Sequence, residues 1–424
     1  LQLATVSGAR FAQLIDDCLA GILPDKVGIS VSGGGDSTAL AVLMAEWAHN
    51  RKIGLCAVTV DHGLRAAARD EAAFAGETCR QLGIAHEVLR WDDWDGRGNL
   101  QQAARRARLD LIAKWARGLN IQTVALGHTM DDQAETVLMR LARGSGVDGL
   151  SGMAARRRYG AINVIRPLLQ LRRADLRAML SEKNFDWIED PSNNDLQFDR
   201  VKARAALVSL ADLGLDAAGL SKTAQAQKRA RDALERLTQT QAKSICSVGE
   251  SGDVLMAHKT LKRLDKEIML RLMAHVLKWV ASGDYRPRLA SLESLLSAGF
   301  AKPTTLAGCL IGADHNGRVR ISRELRAVAE LRCDVGQLWD KRWEIVPPDA
   351  KDKRKFAVAP LGEAGLLRCG DWREIGLPKA SLLASPAIWL GNDLVAAPFA
   401  GQANGWQIRL NKGADHFFAS IVTH

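Results

Sequence analysis

The stretch Val27-Gly28-Ile29-Ser30-Val31-Ser32-Gly33-Gly34-Gly35-Asp36-Ser37 decides the fold. Its first five residues are an apolar run of the length of a buried strand, and the apolar-periodic residues 38–47 predict a helix. Strand, glycine turn and helix start make a cradle for an anion. Glycines let the backbone approach closely, and free N–H groups at the helix start face the ligand with the positive end of the dipole. Ser32 and Ser37 add hydroxyl donors, while Asp36 calls for a cation or an amine beside the anion. No lysine follows the glycines, so this is not the Gly-x-x-x-x-Gly-Lys phosphate loop.

Outward from this loop the βα alternation continues. Residues 53–60 predict a second buried strand ending in Asp61-His62-Gly63-Leu64-Arg65. Ligands of open α/β sheets bind beyond the carboxyl ends of the strands, which brings Asp61, His62 and Arg65 towards the loop. His62 reads either as a nucleotide or metal contact or as a capping histidine. A helix over 69–82, a strand over 85–89, a polar turn over 92–98 and a long helix over 99–118 follow. On that helix Arg105 and Arg108 share a face and Arg106 turns away. A strand over 123–126 then ends in Gly127-His128-Thr129-Met130-Asp131-Asp132-Gln133-Ala134-Glu135. Acids suit a helix start, at roughly 0.3–1 kcal/mol each. That does not explain three of them with His128 at a strand's carboxyl end. Asp132 and Glu135, three apart, can face one ammonium group or one magnesium ion.

A second glycine cluster, Arg143-Gly144-Ser145-Gly146 to Leu150, predicts a mobile loop closing over the site. Arg156, Arg157, Arg158, Arg166, Arg172 and Arg173 make 156–173 strongly basic, placed for phosphate contacts with a nucleic acid. A helix over 173–183 and a turn-rich loop over 187–194 precede Asp199-Arg200-Val201-Lys202-Ala203-Arg204.

The 424 residues predict two or three domains, and 47% hydrophobic with 25% charged residues is an ordinary globular composition. An excess of 58 Lys+Arg over 48 Asp+Glu, +10 formally, suggests a polyanionic partner. The seven cysteines are odd in number and scattered without Cys-x-x-Cys, which argues against a disulfide framework and a zinc or iron–sulfur site. No apolar run approaches a membrane span, and the first thirty residues lack a secretory pattern, so the expected compartment is the cytoplasm. The sequence starts at Leu1, from which we expect a few native residues to precede it.

The hexamer Ser-Gly-Gly-x-Asp-Ser at 32–37 resembles the pyrophosphate (PP) loop of N-type ATP pyrophosphatases, which split ATP into AMP and pyrophosphate while adenylating a carbonyl oxygen. The wider set resembles the tRNA(Ile)-lysidine synthetase family, in that family's order, over about the first 210 residues. It comprises Asp61 to Arg65, Ala104-Arg105 with Arg108, Gly127-His128 to Thr136, Arg143 to Gly146, Arg166-Pro167-Leu168-Leu169, Glu189-Asp190-Pro191-Ser192-Asn193 and Asp199-Arg200. Val201 departs from the asparagine usual after Asp-Arg, and Leu109 from a common tyrosine.

This resemblance implies ATP and magnesium as cofactors, with free L-lysine and a tRNA(Ile) of anticodon CAU as partners. The C2 oxygen of the wobble cytidine is adenylated, and the ε-amine of lysine then displaces AMP. Carried over, Ser32, Gly33, Gly34, Gly35, Asp36 and Ser37 hold ATP with His62 and Arg105, and Asp36 also faces magnesium. Asp36, Asp132 and Glu135 grip lysine, His128 joins them as catalytic beside the reacting base, and Arg156, Arg157, Arg166, Arg200 and Arg204 meet tRNA. No protein partner is implied other than a second copy of the chain.

Beyond 210 the alternation stops. Leu261, Leu264, Ile268, Leu272, Val276 and Trp279 form a helical stripe, and Asn316-Gly317 marks a hairpin before several short apolar strands. The expected architecture is α/β: a Rossmann-like PP-loop domain with a parallel sheet (1–212), a helical tRNA-binding domain (213–300) and a small β-rich C-terminal tRNA-recognition domain (301–424). Two other readings compete with the ligase. A tRNA thiolating enzyme would need cysteines in loop motifs, and a non-catalytic RNA-binding protein would have no need of the three acids.

Overall fold

The computed structural model describes residues 6–63, 68–91, 100–189, 195, 197–314, 316–349 and 354–422. Arg65, the 92–98 turn and Asp190 to Asn194 lie outside the described residues. Contacts gather the chain into two units, Leu1–Arg231 and Asp232–Thr423.

In the first unit, an entry helix α1 (Gly8–Leu19) leads to β1 (Lys26–Ser30), α2 (Gly35–Arg51), β2 (Gly54–Asp61), α3 (Ala68–Gln81), β3 (Ala85–Arg90), α4 (Leu100–Gly118) and β4 (Thr123–Leu126). Next come α5 (Met130–Leu141), α6 (Val147–Leu150), β5 (Arg156–Tyr159), β6 (Ile162–Ile165), α7 (Arg173–Glu182), α8 (Asp199–Leu210) and the start of α9 (Ala217–Ile245). The six strands lie in the order β3-β2-β1-β4-β6-β5. All neighbours pair in parallel except β5, which runs antiparallel to β6.

β1 and β4 are central, and after its first residue β1 is buried throughout, as befits a strand covered on both faces. On one face α2 packs with α1, α3 and α7 through Phe11, Ile15, Leu40, Leu43, Met44, Cys79 and Leu176. On the other, Ile112, Trp115 and Ala116 of α4 cover Val58, Val124 and Ile162. Leu109 joins that second core beside Tyr159, so the missing tyrosine is replaced by an apolar contact. Gly28 allows the crossing: a Cβ there would stand 2.9 Å from the Trp115 ring.

The strand order reverses between β1 and β4, so the crevice at their carboxyl ends is the topological switch point where open α/β sheets bind ligands. The hairpin β5–β6 has no counterpart in the sequence reading. Its Arg-Arg-Arg-Tyr strand is an edge strand, and charged edges resist pairing with other chains.

The second unit contains a five-stranded antiparallel sheet in which Cys246–Val248 and Val254–Ala257 pair on towards Arg318–Arg323, Cys309–Ala313 and Thr304–Leu306. Helices Lys266–Val280 and Leu289–Ala298 pack on it through Leu272, Val276, Leu292 and Leu295. Of the helical stripe read from sequence, Ile268, Leu272, Val276 and Trp279 lie on Lys266–Val280, whereas Leu261 ends the separate helix His258–Leu261 and Leu264 lies between the two; the hairpin around Asn316-Gly317 is present. A four-stranded sheet formed by Cys333–Asp334, Ala357–Pro360, Pro386–Leu390 and Asp393–Ala396, with a separate pair, Trp343–Val346 and Gln407–Leu410, completes the unit. Among the described residues no helix is long and apolar enough to cross a membrane.

Candidate active site

The glycine loop folds back on itself. The Ser32 N–H donates to Ser37 Oγ (3.0 Å), the two hydroxyls meet at 3.1 Å, and Ser37 Oγ donates to the Gly34 carbonyl (2.9 Å). Gly33 adopts φ +81°, a left-handed conformation that costs glycine nothing, and α2 begins two residues later. Ile188 N–H donates to the Gly33 carbonyl (2.9 Å) and Trp187 lies over Gly35, so the segment before the 190–194 loop walls the cradle.

The end of β4 presses on the same helix start. A Cβ on Gly127 would stand 3.0 Å from the Asp36 carbonyl oxygen and 3.2 Å from Ser37 Cα, so only glycine lets the two loops approach this closely.

Thr129 caps α5. Its N–H and its hydroxyl both donate to Asp132 Oδ2 (2.8 and 3.0 Å), and the Asp132 N–H returns to Thr129 Oγ1 at 3.4 Å. The ordinary and the functional readings of this acid therefore hold together, because one oxygen caps the helix and Oδ1 faces the pocket. There it meets Arg173, the first residue of α7. Arg173 donates Nε to Asp36 Oδ2 (2.9 Å) and Nη2 to Asp132 Oδ1 (3.2 Å), and its Nη1 lies 3.8 Å from Glu135 Oε1. Its backbone N–H donates to Asp131 Oδ2 (2.8 Å). Arg204 Nε donates to Glu135 Oε1 (2.8 Å).

The three acids of the motif thus converge with Asp36, although 96 to 99 residues of chain separate Asp36 from Asp132 and Glu135. Their proton affinities diverge. Burial pushes Asp36 up to about 6 against the opposing pull of Arg173. Burial also raises Glu135, with Arg204 opposing it. At Asp132 burial is outweighed by Arg173 and the Thr129 N–H, so its pKa falls below the usual carboxylate range. His128 is pushed down to about 3 by burial and by Arg166, Arg108 and Arg200, with Asp132 opposing, and is neutral at ordinary pH. Asp36 Oδ1, Glu135 Oε2, His62 Nδ1, His128 Nδ1 and Arg166 Nε are buried without a hydrogen-bond partner among the described residues.

Arg108 reaches back to Ser30 at the end of β1 (Nη2 to Oγ, 3.1 Å), beside the glycine loop. Burial and the charges of Arg200 and Arg157 lower the Arg105 pKa, so these three form a positive group. His62, at the end of β2, sits edge-on to Trp91 at 5.8 Å.

The basic run is partly spent inside the protein. Arg156 donates to the Leu19 carbonyl (3.2 Å), buried Arg166 donates to the Ala154 carbonyl (2.8 Å), and Arg172 pairs with Asp216 at 3.7 Å. Arg157 and Arg158 are exposed and Arg200 half-buried. Counting Arg173 with nucleic-acid contacts is therefore corrected: the carboxylates draw it inward. The glycine cluster after α5, expected to be mobile, is pinned. Arg140 Nη1 donates to the Gly149 and Gly152 carbonyls (2.9 Å each), and Gln133 exchanges hydrogen bonds with the Met153 backbone (2.6 and 3.0 Å). Arg140 and Gln133 escaped the sequence reading; their helical spacing on α5 was the available signal.

All seven cysteines are free, and five of them are buried. Burial pushes Cys18 and Cys79 up to about 11 and Cys246 and Cys309 up to about 12, which makes them poor nucleophiles.

Residues 4–211 match the PP-loop domain family. A curated tRNA(Ile)-lysidine synthase from Ruegeria pomeroyi is 45% identical over 402 residues, covering 95% of each chain. One from Wolbachia pipientis wMel is 34% identical over 347 residues, 80% of this chain and 78% of that one. Among solved structures, the U34-tRNA thiolase NcsA from Methanococcus maripaludis superposes with a TM-score of 0.44 at 18% identity, over 52% of this chain and 77% of that one.

Proposed function

Because this chain belongs to the tRNA(Ile)-lysidine synthase family, we propose that it joins lysine to C2 of the wobble cytidine of a CAU-anticodon tRNA(Ile), with cleavage of ATP to AMP and pyrophosphate. The motif resemblance and the PP-loop fold class are borne out. The observation that carries the mechanism is the meeting of the PP loop with Asp36, Asp132 and Glu135 at the β1/β4 switch point.

The Ser32–Ser37 loop and the N–H groups at the start of α2 take the pyrophosphate part of ATP. Arg105 and Arg108, on α4 with Arg108 at the carboxyl end of β1, offset charge near the α-phosphate, with His62 alongside. The cytidine C2 oxygen attacks that phosphorus and pyrophosphate leaves, which converts a poor electrophile into one carrying a good leaving group. Neutral His128 lines the base's position and positions it by hydrogen bonding; with a pKa near 3 it is a weak proton acceptor. Asp132 and Glu135 hold the lysine ammonium. Asp36, raised to about 6 by burial when no cation other than Arg173 is beside it, is the carboxylate best matched to take its proton once pyrophosphate has left with its counter-ion, before the free amine attacks C2 and AMP departs.

The unpartnered Asp36 Oδ1 at the PP loop fits a magnesium ion, which uses one or two carboxylates with phosphates and water rather than a full protein cage. Among the described residues no three His, Cys, Asp or Glu side chains form such a cage. Asp36 would hold the ion, which neutralises the departing pyrophosphate. Exposed Arg157 with Arg200 meets the tRNA backbone, Arg204 steadies Glu135, and the second unit binds the tRNA body.

The test is transfer of labelled lysine to a CAU tRNA(Ile) transcript with ATP and magnesium, against a CAU methionine tRNA. Label in the first RNA alone is expected. Pyrophosphate release without lysine transfer would overturn the choice of nucleophile, and binding without either signal would overturn the enzyme reading.

A further inference from the structure

The pocket assigned to the substrate's ammonium already holds a cation of the chain's own. One guanidinium, that of Arg173, meets all three carboxylates: Asp36 Oδ2 at 2.9 Å, Asp132 Oδ1 at 3.2 Å and Glu135 Oε1 at 3.8 Å. Asp132 Oδ2 is committed to capping α5, so Oδ1 is the oxygen an incoming amine must reach, and Arg173 Nη2 lies on it. The remaining oxygens nearby, Asp36 Oδ1 and Glu135 Oε2, are buried without partners, a shortage of donors that a single guanidinium does not fill. The Arg173 backbone is fixed through its N–H to Asp131, which leaves the long side chain as the part able to swing away.

We propose that Arg173 is a resident stand-in for the substrate ammonium, and that lysine enters by displacing its guanidinium from Asp36 and Asp132. The exchange is cation for cation. Three carboxylates facing Arg173 and Arg204 keep one surplus negative charge before and after, so the pocket is never left with three bare acids. An ammonium with three donors in a compact group reaches the unpartnered Glu135 Oε2 that the planar fork does not. The consequence is a built-in competitor that weakens lysine binding and bars weaker amines.

This inference rests on the lysine-site reading. Its test is equilibrium binding of L-lysine to the full chain by calorimetry, with an unreactive ATP analogue present. Arg173→Gln is expected to bind lysine roughly fivefold tighter or more, and Arg173→Lys, which restores the competitor, to return towards wild type. Loss of packing does not tighten a ligand, so a merely structural role predicts the opposite sign. A second readout uses the wild-type protein alone: the 15N signal of Arg173 Nε, assigned by its loss in Arg173→Lys, should shift and exchange faster as lysine saturates. If wild type binds lysine while that signal stays fixed and Arg173→Gln binds no tighter, this inference falls and the lysine site stands. If wild type binds no lysine, both fall.

Discussion

Asparagine at position 132 separates the two duties of that residue. Its amide oxygen still accepts the Thr129 N–H, so the cap of α5 persists at a cost of only a few tenths of a kcal/mol, and the remaining loss of stability is that of the Arg173 pair. The atom turned to the pocket becomes an NH2 donor where Oδ1 now accepts a cation at 3.2 Å. At an effective dielectric of about 20, a unit charge pair at that distance is worth roughly 5 kcal/mol before desolvation. Because lysine takes over an oxygen that already carries the Arg173 guanidinium, most of that attraction is lost from both states, and only the difference between the two cations, on the order of 1.4 kcal/mol or about tenfold in kcat/KM for lysine, is expected to remain. Two assays run in parallel: RNA-dependent pyrophosphate release for adenylation, and labelled lysine transfer for the second step. Asp132→Asn should keep the first within about twofold and lose the second about tenfold. An unchanged KM for lysine, or an equal fall in both steps, would falsify the division of labour drawn here.

The raised Asp36 pKa sets two pH effects. Lysine transfer should rise as pH climbs through about 6, and Asp36→Asn should abolish that limb in a kcat/KM profile. The folded carboxyl binds its proton more tightly than the unfolded one at 3.8. Its contribution to the stability of the ligand-free protein is therefore fully present below pH about 4 and lost by about pH 6, with a size of about 3 kcal/mol, readable from melting curves. Gly127→Ala drives a Cβ into the Asp36 and Ser37 backbone; it should cost roughly 1–3 kcal/mol and weaken binding of an ATP analogue, as titration would reveal. Arg140→Ala releases the Gly149 and Gly152 carbonyls, and limited proteolysis should then cut within 144–152 faster than in wild type; unchanged cutting refutes the clamp.

Much of the first unit is legible because its central strands are continuous apolar runs ending in glycine or acid. Residues 27–31, 53–60 and 123–126 appear within a residue or two of their observed limits. The edge hairpin was hidden, since Arg-Arg-Arg-Tyr has neither alternation nor an apolar run, and an edge strand buries only part of its surface. Cys246–Val248 and Val254–Ala257 are three and four residues long and escaped for want of length. At the site, residue types were readable and directions were not. Asp132 and Glu135 were found by their spacing, yet a count of arginines gives no sign that Arg173 turns inward, that Arg166 is buried or that Arg204 holds Glu135. Each of those facts depends on partners 12 to 137 residues away.

The pairing of Asp36 with Arg173, 137 positions apart, and of Glu135 with Arg204 also bears on how the protein is born. Contacts at such separation form late, after loop-closure entropy has been overcome. On the ribosome, the PP loop and its helix emerge long before the residues that complete the pocket. A nascent chain ending short of Arg173 has neither the closed amine site nor the Trp187–Ile188 wall of the anion cradle, and one ending short of Arg204 leaves Glu135 without its second cation. Activity is therefore a late event of synthesis, since residues 173–204 complete both the wall of the cradle and the amine site.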